Sequence, residues 1–223
     1  MNVWVVIPAY NEQRGLAGLL DRIKARGLSV LVVDDGSSDN TFQIASARAD
    51  KVIRNENNFG KGAALNKALK HLFVEGQFDY ILTMDADGQH SPDDIDKFLA
   101  AADRGDSVVI GNRMDNPAGM PWVRIATNKL LSALISRIIG QTVPDTQCGF
   151  RLIKREVLEK IQIQSDKFEI ESEILVKAGR LKVPIKSVNI QSIYSRNVKS
   201  RINPVTDTLR FWRFLVRLNR KGI

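Results

Sequence analysis

The sequence predicts an α/β fold, a Rossmann-like, mostly parallel sheet flanked by helices. Three observations predict it. Short apolar strand runs alternate with helical patterns through the first 112 residues. Each run stops abruptly in a polar turn, and the turns richest in chemical groups all fall at the strands' carboxyl ends, where such sheets bind ligands.

Asn2–Ile7 reads as a buried strand ending in Pro8-Ala9-Tyr10-Asn11, and Ser29–Val33 as a second ending in Asp34-Asp35-Gly36-Ser37. Valine-rich runs without alternation suit parallel strands covered on both faces. Between them, Glu12–Arg26 places Leu16, Leu19, Leu20 and Ile23 at helical spacing. Thr41–Arg48, Lys61–Phe73 and Pro92–Arg104 are further helices, and Tyr80–Met84 and Ser107–Ile110 further strands. After Arg113 the alternation stops. A loop over 115–121 leads to an apolar helix, Trp122–Ile139, then to a Gly-Gln-Thr-Val-Pro turn, a late strand Val183–Ile190 and a final helix Val205–Arg220. The division expected is one domain over 1–195, with halves 1–113 and 114–195, followed by a basic loop and amphipathic C-terminal helix over 196–223.

The chain of 223 residues is long enough for a sizeable core, and 43% hydrophobic with 26% charged residues is ordinary globular material. A single cysteine, Cys148, excludes an internal disulfide and fits a reducing compartment. No basic leader precedes the first strand, so no secretory signal is visible. Trp122–Ile139 is interrupted by Arg124, Asn128, Lys129 and Arg137, so no transmembrane helix is expected. The net charge is +8, and eight basic residues against Asp207 place +7 of it in the last 28 residues. Such an arm meets phosphates: a nucleotide, an anionic membrane or a nucleic acid. On the last helix Arg210, Arg213, Arg217, Arg220 and Lys221 share one sector, and Trp212, Phe211 and Phe214 lie in the apolar remainder. That pattern fits a helix lying in an anionic bilayer surface and equally one docked on the protein. No recognised module accompanies it that would read a nucleic acid.

Tyr80–His90 reads YILTMDADGQH. Two carboxylates and an amide oxygen after a strand suit a hard divalent cation, Mg²⁺ or Mn²⁺, carrying a diphosphate. Asp pairs also serve as helix caps, and Ser91-Pro92-Asp93-Asp94 looks like a helix start. Gly60-Lys61-Gly62 lacks the spacing of a phosphate loop; its glycines allow a tight turn and Lys61 adds positive charge nearby. Cys148 has no His/Asp pair placed to activate it. Glu169, Glu171 and Glu173 read either as a second acidic site or as the acidic first turn of a helix.

VVIPAYNE (5–12), VVDDGSSDNT (32–41), NFGKGAALNKAL (58–69), MDADGQH (84–90), GNR (111–113) and DTQCGFRL (145–152) occur in one order. In these motifs the chain resembles the family 2 glycosyltransferases, specifically the branch that makes polyprenyl-phosphate sugars, such as dolichyl-phosphate mannose synthases. The resemblance implies a GT-A fold. It implies a nucleotide-sugar site from Pro8, Tyr10, Glu12, Val33, Asp35, Asp85, Ala86 and Asp87, and a metal held by Asp87 and Gln89. Arg113 resembles an arginine pointing at this site, so Asp85, Asp87 and Arg113 form the catalytic set. Lys199 and Arg201 resemble a basic pair on a late loop that closes on the diphosphate. Ser192 stands where family members commonly have an arginine before the late tyrosine.

The acceptor decides whether a base is needed. A hydroxyl must lose its proton, with Asp145 as the candidate base. A polyprenyl phosphate is already anionic, its second pKa lying around 6. It needs cationic positioning, which Arg124 and Asn128 at i and i+4 match loosely, a serine being more usual in the family at the second position; both could also be solvent-facing residues on a core helix. The expected protein is an inverting, metal-dependent hexosyltransferase, cytoplasmic and peripherally membrane-associated, docking on an anionic membrane or a membrane partner protein. The alternatives are transfer to a soluble or glycan hydroxyl, and a non-catalytic nucleotide-sugar-binding subunit.

Overall fold

The computed structural model describes residues 1–75, 77–161, 163 and 169–193; Met1–Ile193 forms one compact unit. Its strands are β1 (Val3–Ala9), β2 (Ser29–Asp34), β3 (Lys51–Arg54), β4 (Tyr80–Thr83), β5 (Val108–Asn112), β6 (Arg151–Lys154) and β7 (Ile185–Asn189). Its helices are α1 (Leu16–Lys24), α2 (Thr41–Arg48), α3 (Lys61–Glu75), α4 (Ile95–Asp103), α5 (Trp122–Ile139), α6 (Arg155–Lys160) and α7 (Glu169–Arg180), with a 3-10 turn at Pro92–Asp94. The basic tail, its helix over 205–220, Lys199 and Arg201 lie outside the described residues.

The seven strands run in the order β3-β2-β1-β4-β6-β5-β7. β1 pairs in parallel with β2 and β4, β2 with β3, and β5 with β7. β6 runs antiparallel to both of its neighbours, so the sheet is mixed. Sequence order turns back at β1, and the crevice there lies beside the carboxyl ends of β1, β2 and β4, the usual place for a ligand in an open α/β sheet. Val5, Val6, Ile7, Val30, Leu31, Val32 and Val33 have no exposure, as strands covered on both faces require.

Several boundaries moved. The helix expected from Glu12 begins at Leu16, because Asn11 adopts φ 55° and the chain turns before it can coil. Ser91 caps the 3-10 turn, accepting the Asp93 N–H at 3.3 Å. The cap is therefore Ser91, and Asp85 and Asp87 are left for other work. α7 starts at Glu169, as the acidic first-turn reading expects. The apolar helix α5 turns a partly polar face inward, which decides between the two orientations its sequence left open. Its buried residues are Asn128, Ser132, Ile135 and Ile139, whereas Trp122 is 78% exposed and Leu130 62% exposed. Among the described residues no helix is long and apolar enough to cross a membrane.

Candidate active site

The turns after β1 and β2 are stitched together. Pro8 registers with Val33 across the two strands, and the Asp35 N–H donates to the Ala9 carbonyl at 2.8 Å. The Asn11 N–H donates to Ser37 Oγ at 2.9 Å, and the Glu12 N–H to Thr41 Oγ1 at 2.8 Å. Pro8, Tyr10 and Glu12 are half-buried, while Val33 and Asp35 are buried. Asp34 supports its own loop, accepting from Ser37 N–H at 3.1 Å and pairing with Arg54 at 3.1 Å. Gly36 sits at φ +75°, and a Cβ there would meet the Asn57 backbone carbon at 2.6 Å. This close approach presses the Asn55–Gly60 segment against the β2 turn.

β4 brings its turn alongside: the Met84 N–H donates to the Val6 carbonyl at 3.1 Å. Asp85 is then caught in a charge cluster. Lys61 Nζ, at the start of α3, lies 2.5 Å from Asp85 Oδ1 and 2.5 Å from Glu171 Oε1 on α7. A Cβ on Gly149 would come within 2.6 Å of Lys61 Nζ and 2.7 Å of Asp85 Oδ2, so the backbone before β6 packs directly on these charges. Burial alone would raise the Asp85 carboxyl, but the Lys61 ammonium, with His90 and Arg113 behind it, outweighs burial and leaves it at about 2. Burial opposes the charge on Lys61 too, and the two carboxylates override it, raising the ammonium above its ordinary value.

Asp87 has the opposite balance. Burial and then the neighbouring Asp85 charge raise its carboxyl above the ordinary value, against weaker help from the Gln89 N–H, Lys61 and Arg124. The Gln89 N–H donates to Asp87 Oδ1 at 3.0 Å. Asp87 is thus a carboxylate whose negative charge lacks full compensation, beside a Gln side chain able to offer an amide oxygen. That donor set fits Mg²⁺ or Mn²⁺ held by one or two protein oxygens and completed by substrate phosphates.

Arg113 follows β5, and its side chain is clamped. Its Nε lies 2.7 Å and its Nη2 2.9 Å from the two oxygens of Asp145, and its N–H donates to the same carboxylate at 3.2 Å. Arg113 is 4% exposed and Asp145 fully buried. Its charge still acts on Asp85 and His90.

His90 is 2% exposed and stacks on Phe150, ring centroids 5.2 Å apart. Burial drives its imidazole down to about 4, so it lines the site as a neutral ring. Cys148 Sγ lies 3.8 Å from His90 Nε2, and burial pushes the thiol up to about 12, which makes it packing rather than a nucleophile.

The charge of Arg124 reaches Asp87. Asn128, one turn on, is 6% exposed, and its Nδ2 meets no acceptor among the described residues. Asn128 is thus buried against the protein, and Arg124 is half-buried beside it.

Three residues escaped the sequence reading of this site. Lys61 was read only as nearby positive charge and Glu171 only as one of an acidic trio. Arg151, fully buried, donates to the carbonyls of Cys148 at 2.6 Å, Thr146 at 2.8 Å and Glu171, and so ties the loop before β6 to α7.

Comparison with known proteins places this arrangement. The model of "Glycosyl transferase family 2" matches residues 4–162. The chain is 31% identical to the UDP-N-acetylglucosamine–dolichyl-phosphate N-acetylglucosaminyltransferase of Methanococcus voltae, covering 89% of this chain and 88% of that protein. It is 34% identical to the polyprenol monophosphomannose synthase of Mycolicibacterium smegmatis, over 72% of this chain and 64% of that one. Glucosyl-3-phosphoglycerate synthase of Mycobacterium tuberculosis, solved with Mn²⁺, uridine diphosphate and glucosyl-3-phosphoglycerate, shares the fold. Its TM-score is 0.73 at 21% identity, covering 100% of this chain and 80% of that one. The matched segment spans β1 through α6, including the Asp85–Gln89 turn and the Arg113–Asp145 pair, and the chain belongs to glycosyl transferase family 2.

Proposed function

We propose that the protein is a metal-dependent, inverting glycosyltransferase that moves a sugar of mannose or glucose type from a nucleoside-diphosphate sugar to a polyprenyl or dolichyl phosphate. The observation that supports this acceptor best is the Arg113–Asp145 pair. A hydroxyl acceptor needs a base, and the carboxylate that sequence offers for that role is fully buried with both oxygens bonded to Arg113. A phosphate monoester arrives as an anion and needs none. Arg124 and the Asn128 amide, whose Nδ2 meets no acceptor among the described residues, would supply a cation and a hydrogen-bond donor to receive it. The printed names of the two relatives, which specify dolichyl-phosphate and polyprenol acceptors, support the same class.

In this reading the base and ribose of the donor seat on the joined turns of β1 and β2, against Pro8, Tyr10, Glu12, Val33 and Asp35. Asp87 and Gln89 would hold Mg²⁺ or Mn²⁺. When bound, the ion neutralises charge developing on the departing nucleoside diphosphate. Asp85 and Ala86 line the donor, and Lys61 holds Asp85 in one orientation. The acceptor phosphate oxygen forms the new bond to the anomeric carbon as the bond to the diphosphate breaks, with inversion. Lys199 and Arg201 would add cations to the leaving group.

The exposed side of α5 supports work at a membrane surface. Trp122, Val123, Leu130 and Ile138 are all exposed there, and Lys129 and Arg137 are exposed on the same helix. An apolar face with cations beside it suits an anionic bilayer. Peripheral attachment on the cytoplasmic side, by this helix and the basic tail, completes the proposal.

The test is incubation with Mn²⁺ or Mg²⁺, a polyprenyl phosphate and separate UDP- and GDP-sugars, following lipid-linked sugar. Lipid-linked product is expected; transfer to a soluble sugar with none to lipid would overturn the acceptor assignment.

A further inference from the structure

Asp35, the first residue after β2, has its carboxylate already committed. Its Oδ1 accepts from Asn55 Nδ2 at 2.7 Å and from the Phe59 N–H at 3.1 Å, and its Oδ2 accepts from the Gly60 N–H at 2.8 Å. A carboxylate has about four lone-pair positions. Donors among the described residues therefore fill Oδ1 and leave one position, on Oδ2.

That state is fixed by its surroundings. Two of the three donors are backbone groups and cannot swing away. The third, the Asn55 amide, is 5% exposed, and Lys67 Nζ, which only donates, sits 2.6 Å from Asn55 Oδ1. This forces the NH₂ of Asn55 toward Asp35. The Asn55 N–H in turn donates to the Asp34 carbonyl at 2.8 Å. Freeing Oδ1 would break bonds that organise the whole Asn55–Gly60 segment.

Nucleobases differ in what they ask of such a carboxylate. The Watson–Crick edge of guanine presents N1–H and the 2-amino group side by side, and full pairing engages both carboxylate oxygens. An imide base, uracil or thymine, presents a single ring N–H between two carbonyls. We propose that Asp35 selects an imide base, uracil in the first instance, so that the donor is a UDP-type rather than a GDP-type sugar. The inference rests on the proposed donor site, in which the base seats against Asp35. Guanine there would leave one buried N–H without an acceptor, a loss that corresponds to about tenfold or more in affinity.

The test is calorimetric titration of the full chain with UDP, dTDP and GDP in the presence of Mn²⁺ and without acceptor. UDP or dTDP is expected to bind at least about tenfold more tightly than GDP, and the comparison of those two identifies the imide base. GDP binding as tightly as either would overturn the selection by Asp35 while leaving the donor site intact. Failure of all three nucleotides to bind would overturn the donor site itself. Asn55→Ala opens a second acceptor position on Asp35, and Lys67→Met releases the Asn55 amide. Each is expected to narrow the preference severalfold, and a ratio unchanged in both would sink the lone-pair account.

Discussion

Lys61 Nζ stands 2.5 Å from Asp85 Oδ1, so the first carboxylate of the Asp85-Ala86-Asp87 turn is already neutralised by the protein. The second is not. This asymmetry divides the two in the proposed site: Asp85, held by Lys61, would form a wall for the donor, and Asp87 would be left to meet the ion.

Lys61→Met removes the cation between Asp85 and Glu171. Breaking a buried pair of this kind costs about 3–5 kcal/mol, much of it from stranding the remaining charges. A fall of this order in denaturant melts is expected, together with loss of turnover. Adding Glu171→Gln should return part of the stability and little of the turnover. Wild-type stability in the single variant would show that the cluster is solvated rather than structural.

Asp87→Asn and Gln89→Ala should weaken Mn²⁺ binding, read by electron paramagnetic resonance of free Mn²⁺ in the presence of UDP. Turnover in Asp87→Asn should fall by about 10³-fold, the scale of several kcal/mol of lost charge stabilisation. Because the Asp87 carboxyl is raised, protons compete with the ion. Mn²⁺ affinity should begin to fall with acidification while the pH is still above the usual carboxylate range. Full Mn²⁺ affinity in both variants would place the ion elsewhere.

His90 sets a pH window for stability of the metal-free protein. Its imidazole is lowered to about 4 from 6.5, so between these values the unfolded chain takes up a proton that the folded chain refuses. Stability therefore falls as pH drops from about 6.5 to about 4, by roughly 3 kcal/mol in total. Asp85 extends the loss lower: its contribution is present above about 4 and disappears as pH falls toward 2. Replacing His90 with Gln should flatten the upper window specifically. An unchanged slope between pH 6.5 and 4 would assign the loss to other groups.

The Arg113–Asp145 clamp predicts that Asp145→Asn lowers stability by about 3–5 kcal/mol, because a buried guanidinium loses the carboxylate charge it is bonded to. Arg113→Lys should not preserve the fold's stability, since an ammonium cannot reproduce the two-pronged contact at 2.7 and 2.9 Å. Thermal melts decide both; a stable Asp145→Asn protein would reopen Asp145 as a catalytic base.

Trp122→Ala and Leu130→Ala change exposed side chains and should alter stability by about 0.5 kcal/mol or less. Sedimentation with anionic vesicles should nonetheless drop severalfold in the double variant. Equal sedimentation would remove α5 from the membrane surface and leave the tail to account for any binding.

Much of this architecture was legible because its signals are local. β1, β2, β4 and β5 announce themselves as apolar runs, and the polar turns of the candidate site follow them directly. β3 and β6 were missed for a shared reason: each has four residues with a basic residue at both ends, Lys51–Arg54 and Arg151–Lys154, too short and too charged to show a period. β6 also hid the reversal that makes the sheet mixed. α5 was legible as a helix, but its sequence left two orientations open, and burial of Asn128 and Ser132 beside Ile135 and Ile139 excludes the one that turns Asn128 to solvent. The Lys61–Glu171 contact joins residues 110 positions apart, and no spacing rule reaches that far.

That separation also orders events in time. Lys61 and Asp85 leave the ribosome well before Glu171, and the early strands can pair while α7 has yet to be made. Until α7 docks, Lys61 lacks its second carboxylate and the Arg151 guanidinium lacks the Glu171 carbonyl. This charge cluster is therefore completed late, by a helix that follows β1, β2 and β4 by more than eighty residues of chain. A nascent chain can pair its first strands and still await the helix that sets these charges in place.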